Sequence, residues 1–319
     1  MRKVAVVLAM LAAILVCCPS VPLDPPTHAA DSELVGTWTL ARAENIEGSN
    51  ATAIRDPRGV IIFDSAAHIF EAVTQDYRPP FAIVNQPTPD EALAAFNTFQ
   101  GFWGTYRRDE KAGTITYHPE GAVNPSLMGH DLVRAYELKG DRLVITSQPA
   151  ESGLQGTMRW TWQRVPPIEN ISPAYRQILG FWQWVGDRSV DVATGQTITE
   201  AKRDPSIIVY SPAGYIGTHF VPANRKALAG AIATPEEAKA DIAGYVGYIA
   251  VLTLHPGKIF HHQLVTIGPG GGGSLEREYE ITGNELHLNF PPVTIQGKQR
   301  QVRVVLKRLS GEAEMLGSK

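Results

Sequence analysis

Leu34-Val35-Gly36-Thr37-Trp38 returns as Ile178-Leu179-Gly180-Phe181-Trp182, about 144 residues further along, and this pairing organises the whole chain. Asp56-Pro57 followed by Val60-Ile61-Ile62-Phe63 is matched by Asp204-Pro205 followed by Ile207-Ile208-Val209-Tyr210. Thr88-Pro89-Asp90-Glu91-Ala92 is matched by Thr234-Pro235-Glu236-Glu237-Ala238, and Ile115-Thr116-Tyr117-His118 by Ile259-Phe260-His261-His262. Arg134-Ala135-Tyr136-Glu137-Leu138 then answers to Arg277-Glu278-Tyr279-Glu280-Ile281, and each copy closes on a strand ending in Arg164 or Arg308. A period this long exceeds that of solenoid repeats, so the chain reads as two duplicated domains.

The boundary between the copies falls in Val165-Pro166-Pro167 to Pro173, where paired prolines exclude regular structure. The expected organisation is a leader over 1–30, a first barrel over 32–165, a proline-rich linker over 166–173, a second barrel over 174–309 and a tail over 310–319. Within each copy, short runs rich in Val, Ile, Thr and aromatics alternate with Gly, Asp, Asn and Pro, the pattern of a strand meander. Gly140-Asp141 and Gly283-Asn284 are expected hairpin turns. Such a meander protects its edges by closing, so the fold class is all-β: two tandem antiparallel barrels, each with one short helix. That helix is signed by a capping box, with Thr88 or Thr234 as cap, Pro89 or Pro235 next, and Glu91 or Glu237 three residues after the cap. It is expected to carry Phe96, Phe99 and Phe102 in the first copy, and Tyr245 and Tyr248 in the second, and to pack on its barrel or to act as a lid.

Composition narrows the function. Apolar residues make up 44% and charged ones 19%, the balance of a folded water-soluble protein. With 29 basic residues against 32 acidic and no long basic run, nucleic acid is not an expected partner. Arg2 and Lys3 precede an apolar run from Val4 to Val16 that is too short to span a bilayer, and Ala29-Ala30 offers a small-residue cleavage site. The expectation is therefore export to the periplasm or medium, with no transmembrane span after leader removal. Both cysteines, Cys17 and Cys18, lie at the end of that run, so the folded part holds no disulfide. Val16 before Cys17 departs from a lipobox, which favours soluble export over a lipid anchor.

The opening Gly-x-Trp, the capped Thr-Pro-acid-Glu-Ala helix and the closing strand ending in Arg together resemble the lipocalin-like domains of the calycin group, over nearly all of 32–165 and again 174–309. The resemblance implies that Trp38 with Arg164, and Trp182 with Arg308, close one end of each barrel as a structural signature. It also implies an interior able to hold a small hydrophobic molecule. Some related tandem calycin proteins are cofactor-free cyclases or isomerases, which keeps an enzyme reading beside the binding one.

Candidate ligand residues come from the repeat itself. His118 and His262 occupy one station, Arg134 and Arg277 another, and alternation puts Tyr136 and Tyr279 on the faces of those arginines. If these faces look inward, each barrel holds a His, an Arg and a Tyr among apolar walls, a mix suited to an apolar ligand with one carboxylate or carbonyl. The bland alternative is that they satisfy one another inside a filled barrel. The second copy is richer, with Tyr215, His219, Tyr248, His261 and His262, so an active cavity is expected there.

The three readings are a binding protein for a small hydrophobic or amphipathic molecule, a cofactor-independent isomerase, cyclase or lyase using His262 with Arg277, and a protein-interaction scaffold. No metal motif or cofactor is expected: adjacent His261 and His262 diverge on a strand, and no histidine spacing fits a zinc site. Gly268 to Gly273 formally fits a dinucleotide fingerprint but precedes a strand, so it reads as a loop. No serine-hydrolase elbow or P-loop occurs.

Overall fold

The computed structural model describes residues 33–74, 79–83, 86–147, 157–201, 206–268 and 273–317. The leader and its cleavage site lie outside the described residues, as does Pro269 to Gly272 of the glycine-rich loop. The first half runs β1 (Gly36–Glu47), β2 (Asn50–Ala53), β3 (Arg58–Phe63), β4 (His68–Thr74), α1 (Pro89–Thr98), β5 (Phe99–Asp109), β6 (Thr114–Ala122), β7 (Leu132–Lys139), β8 (Arg142–Thr146) and β9 (Thr157–Val165). The second half runs α2 (Pro173–Ile178), β10 (Gly180–Asp191), β11 (Thr197–Ala201), β12 (Ile207–Tyr210), β13 (Tyr215–Phe220), α3 (Pro235–Ile242) and β14 (Val246–His255). It ends with β15 (Lys258–Thr266), β16 (Ser274–Thr282), β17 (Glu285–Asn289), β18 (Val293–Ile295), β19 (Lys298–Arg308) and α4 (Glu312–Leu316).

Each half is an antiparallel meander that closes on itself, β1 onto β9 and β10 onto β19, giving two eight-stranded barrels in tandem. Closure removes the unpaired edges that an open sheet of this length would expose. The paired motifs meet at the closure. Trp38 sits opposite Arg164, and Trp182 opposite Arg308. Each guanidinium lies 4.0 Å from the indole centroid beneath it. The rest of the apparatus is also duplicated: Trp38 Nε1 donates to the Leu34 carbonyl at 3.0 Å and Trp182 Nε1 to the Ile178 carbonyl at 2.8 Å. Arg164 and Arg308 also donate to the carbonyls of Val35 and Leu179 at 2.7 and 3.0 Å, so each plug seals backbone acceptors as well as an aromatic face. Gly180 is required there. Its φ is +117°, and a Cβ would stand 1.9 Å from the Ser310 carbonyl oxygen.

The helices correct one expectation. Both capping boxes form, but α1 ends at Thr98 and α3 at Ile242, so Phe99, Phe102, Tyr245 and Tyr248 belong to the chain after the helix. Phe99 already has extended backbone and opens β5. Each helix lines the mouth of its own barrel, α1 through Phe96 and α3 through Ile242; the two also pack against each other, and Ala92, Ala95, Phe96, Ala238 and Ile242 join one apolar cluster running between the barrels. The linker segment also gains order, since Ser172 caps α2 through the Tyr175 amide at 3.2 Å.

The barrels meet through the outer faces of β4 and β5 on one side and of β13 and β14 on the other. The Phe70 ring fills the place above Gly217, where any Cβ would come within 2.4 Å of it, and stacks on His219 with centroids 4.7 Å apart. His219 spans the interface. Its Nε2 donates to the Glu71 carbonyl at 2.9 Å, so Nδ1 accepts from the Tyr245 hydroxyl at 2.6 Å. Burial pushes this imidazole down to about 4, consistent with a neutral ring held by two hydrogen bonds.

Candidate functional site

The segment ahead of each helix reaches across to the other barrel. From the second half, Arg225 donates through Nη1 to the Ala122 carbonyl at 2.6 Å and through Nη2 to the Val123 carbonyl, while the Leu228 amide donates to Ser126 Oγ at 2.9 Å. Leu228, Ala231, Ile232 and Ala233 thereby wall the mouth of barrel 1. From the first half, Pro80, Phe81, Gln86 and Pro87 wall the mouth of barrel 2. The capping glutamates hold both segments. Glu91 accepts from the Ala82 and Thr88 amides at 2.8 Å each, and Glu237 from the Ala229 and Thr234 amides at 2.9 Å each. Those backbone donors keep both carboxyls below the usual range.

The two mouths differ in room. Below the mouth of barrel 1 the cavity is about 90 Å³, lined by Glu71, Phe102, Arg134 and Trp160. That space suits a few waters rather than an organic ligand. At the mouth of barrel 2 lies an open cleft of about 1090 Å³, lined by Tyr245, Tyr248, Gln263, Thr266, Ile267 and the apolar wall from the first half.

The interior of barrel 1 holds its own ion pair. Arg134 Nη1 lies 3.0 Å from Glu71 Oε2, both side chains being almost fully buried. The guanidinium stands 5.5, 5.2 and 5.0 Å from the ring centroids of Phe102, Tyr117 and Trp160. Tyr136 faces inward, and its hydroxyl accepts from Arg108 Nε. In this half Arg134 is thus paired with Glu71 and Tyr136 with Arg108, while the buried indole nitrogens of Trp160 and Trp162 have no hydrogen-bond partner among the described residues.

In barrel 2 the inward residues are Arg277 and Tyr279, which share a face of β16, together with His261, Tyr210 and Tyr248. His261 is 1% exposed; the Tyr248 hydroxyl meets its Nδ1 at 2.7 Å and the Tyr210 hydroxyl meets its Nε2 at 3.2 Å. Burial, reinforced by the nearby Arg277 charge, pushes His261 down to about 3. The same burial raises both phenols and lowers Arg277. Tyr248 joins this cluster to the cavity, since it lines the mouth while its hydroxyl holds His261.

The two histidines placed at one station look the other way. His118 is exposed on the outer face and pairs with Asp131 at 3.0 Å. His262 lies on the outer face of β15 and bonds Thr253 Oγ1 at 2.9 Å and Ser274 Oγ at 2.6 Å. The physical reason is ladder register. Arg277 is opposite Ile259, directly paired residues share a face, and His261, two residues beyond Ile259, therefore turns inward. His262 and Arg277 stand on opposite sides of the barrel wall, so the acid/base pair envisaged for an isomerase or lyase is not assembled. His219 belongs to the interface, and Tyr215 opens β13 on the same outward parity. Among the described residues no group of three potential metal ligands occurs.

Residues 35–165 match the family model of the lipocalin-like domain. Among solved structures, an uncharacterized protein of Saccharomyces cerevisiae aligns over 87% of this chain and 99% of its own, at 13% identity and a TM-score of 0.44. A protein of unknown function from Nostoc punctiforme, of the DUF3598 family, aligns over 88% and 99%, at 9% identity and a TM-score of 0.23. No curated protein matches the chain.

Proposed function

We propose that this chain, whose residues 35–165 form a lipocalin-like domain and whose second half repeats that barrel, is an exported binding protein for a small hydrophobic or amphipathic molecule. The molecule sits at the mouth of barrel 2. One observation carries the reading: of two mouths built alike, one has a cavity of about 90 Å³ and the other an open cleft of about 1090 Å³. Barrel 1 then serves as the rigid partner whose Pro80–Phe81 segment completes the wall of the site, a division of labour that a duplicated domain permits. The leader, with Arg2 and Lys3 ahead of Val4 to Val16, supports export, and among the described residues no helix is long and apolar enough to cross a membrane.

The test uses N-phenyl-1-naphthylamine, a neutral apolar probe whose emission rises on leaving water. Saturable enhancement at one site per chain is expected. Ala243 lines the cavity from its exposed rim, so Ala243→Trp fills space without disturbing the core. This variant is expected to weaken the probe about tenfold or more, roughly 1.4 kcal/mol or above, at an unchanged melting temperature. Binding that ignores Ala243→Trp, or no saturable binding, would overturn the assignment.

A further inference from the structure

The two barrels differ chemically at one matched station. On β4, Phe70 is opposite Ile62; on β13, Gly217 is opposite Val209, so the next residues, Glu71 and Thr218, correspond. Arg134 and Arg277 correspond likewise, each being opposite an isoleucine, Ile115 or Ile259. Barrel 1 thus meets its buried arginine with a carboxylate from its own chain, whereas barrel 2 offers a hydroxyl at the same place.

Arg277 is 8% exposed, and among the described residues it has no ion-pair partner. Its contacts are a hydrogen bond from Nη1 to the Glu276 carbonyl at 2.8 Å and the Phe290 ring, 3.7 Å from centroid to guanidinium carbon. A guanidinium carries five N–H donors, and a buried charge is ordinarily paired, so most of its capacity is unspent. Its neighbours are hydroxyls and a neutral imidazole rather than a carboxylate. Neutral His261 has one N–H and one lone pair, so of Tyr210 and Tyr248 one donates to it and the other accepts, leaving that second hydroxyl's own proton unspent on the imidazole. The barrel wall also differs in side-chain size. Ile145 and Leu143 face Trp160 and Trp162, whereas the matching Leu288 and Leu286 face Val304 and Leu306, so two indoles are replaced by small aliphatics.

We infer that barrel 2 binds a monocarboxylate, whose carboxylate pairs with Arg277 where Glu71 pairs with Arg134 in barrel 1, its apolar body extending toward the mouth. This rests on the binding reading above and names the ligand class. A single negative charge is specified because Arg277 is the one cation in the cluster and His261 is held neutral. Charge-assisted, bidentate pairing of this kind distinguishes an acid from its isosteric amide.

The experiment is calorimetric titration of the full chain with decanoate against decanamide and with 2-naphthoate against 2-naphthamide. Each acid is expected to bind about tenfold or more tightly than its amide. Arg277→Leu is expected to abolish that preference while retaining the amide. Thr218→Glu supplies a resident carboxylate, so it is expected to abolish acid binding and raise the melting temperature of the ligand-free protein; this variant decides the matter if Arg277→Leu does not fold. Equal binding of acid and amide to the unaltered protein would overturn the inference and leave the binding reading standing. Binding of neither would overturn both.

Discussion

Arg134→Met is expected to destabilise the protein by about 3–5 kcal/mol, the scale on which removing one partner of a buried ion pair leaves the other uncompensated. The orphan is Glu71, whose side chain is 4% exposed and which shares its surroundings with Phe102 and Trp160. Its side chain is almost fully buried and no ring can replace the lost cation. Desolvation in the variant raises the Glu71 carboxyl above its unfolded value. The deficit is therefore full at neutral pH and shrinks as pH falls through that raised value, where the folded variant takes up a proton. The double variant Glu71→Leu/Arg134→Met removes both charges and is expected to return to the original stability or exceed it, since apolar replacements of buried pairs are neutral or stabilising by about 1–4 kcal/mol. Urea midpoints of the two variants, measured at neutral and acid pH, check all three statements. A single variant as stable as the unaltered chain would show that Glu71 and Arg134 are not a buried pair.

Phe70→Ala is expected to cost about 3–5 kcal/mol and, in addition, to separate the melting of the two barrels. The ring is fully buried, lies where Gly217 has no side chain, and stacks on His219. Removing it opens a cavity that Gly217 cannot fill, in the apolar cluster that both barrels share. The hydrogen bond from His219 to the Glu71 carbonyl then has to hold the faces without its packing. Calorimetry of the unaltered chain is expected to give one cooperative transition, and of the variant two. One transition at an unchanged temperature would mean that the interface contributes little to coupling.

Much of the architecture is legible along the chain because its determinants are local. The Gly-x-Trp starts and terminal arginines mark strands that meet by closure, Thr88 and Thr234 sign the helices within four residues, and alternation along β16 puts Arg277 and Tyr279 on one face. What was not legible depends on pairing partners. His261 rather than His262 faces the interior because Ile259 shares a rung with Arg277, and that register is a property of two strands. Phe99 and Phe102 sit at spacings that continue a helical stripe, yet the chain turns extended at Phe99 to pair with β4. The exchange of pre-helix segments between barrels follows from how the domains pack, which no local pattern encodes. The correspondence of Glu71 with Thr218 was hidden because the chemistry differs there, and self-similarity finds only what the copies share.

The most direct test of a ligand at the mouth of barrel 2 is native mass spectrometry of the full chain purified from its own source, beside the Ala243→Trp variant prepared identically. A discrete small-molecule adduct, one per chain, present on the unaltered protein and absent from the variant, is the predicted result. An adduct-free mass for both proteins, or the same adduct on both, would contradict it.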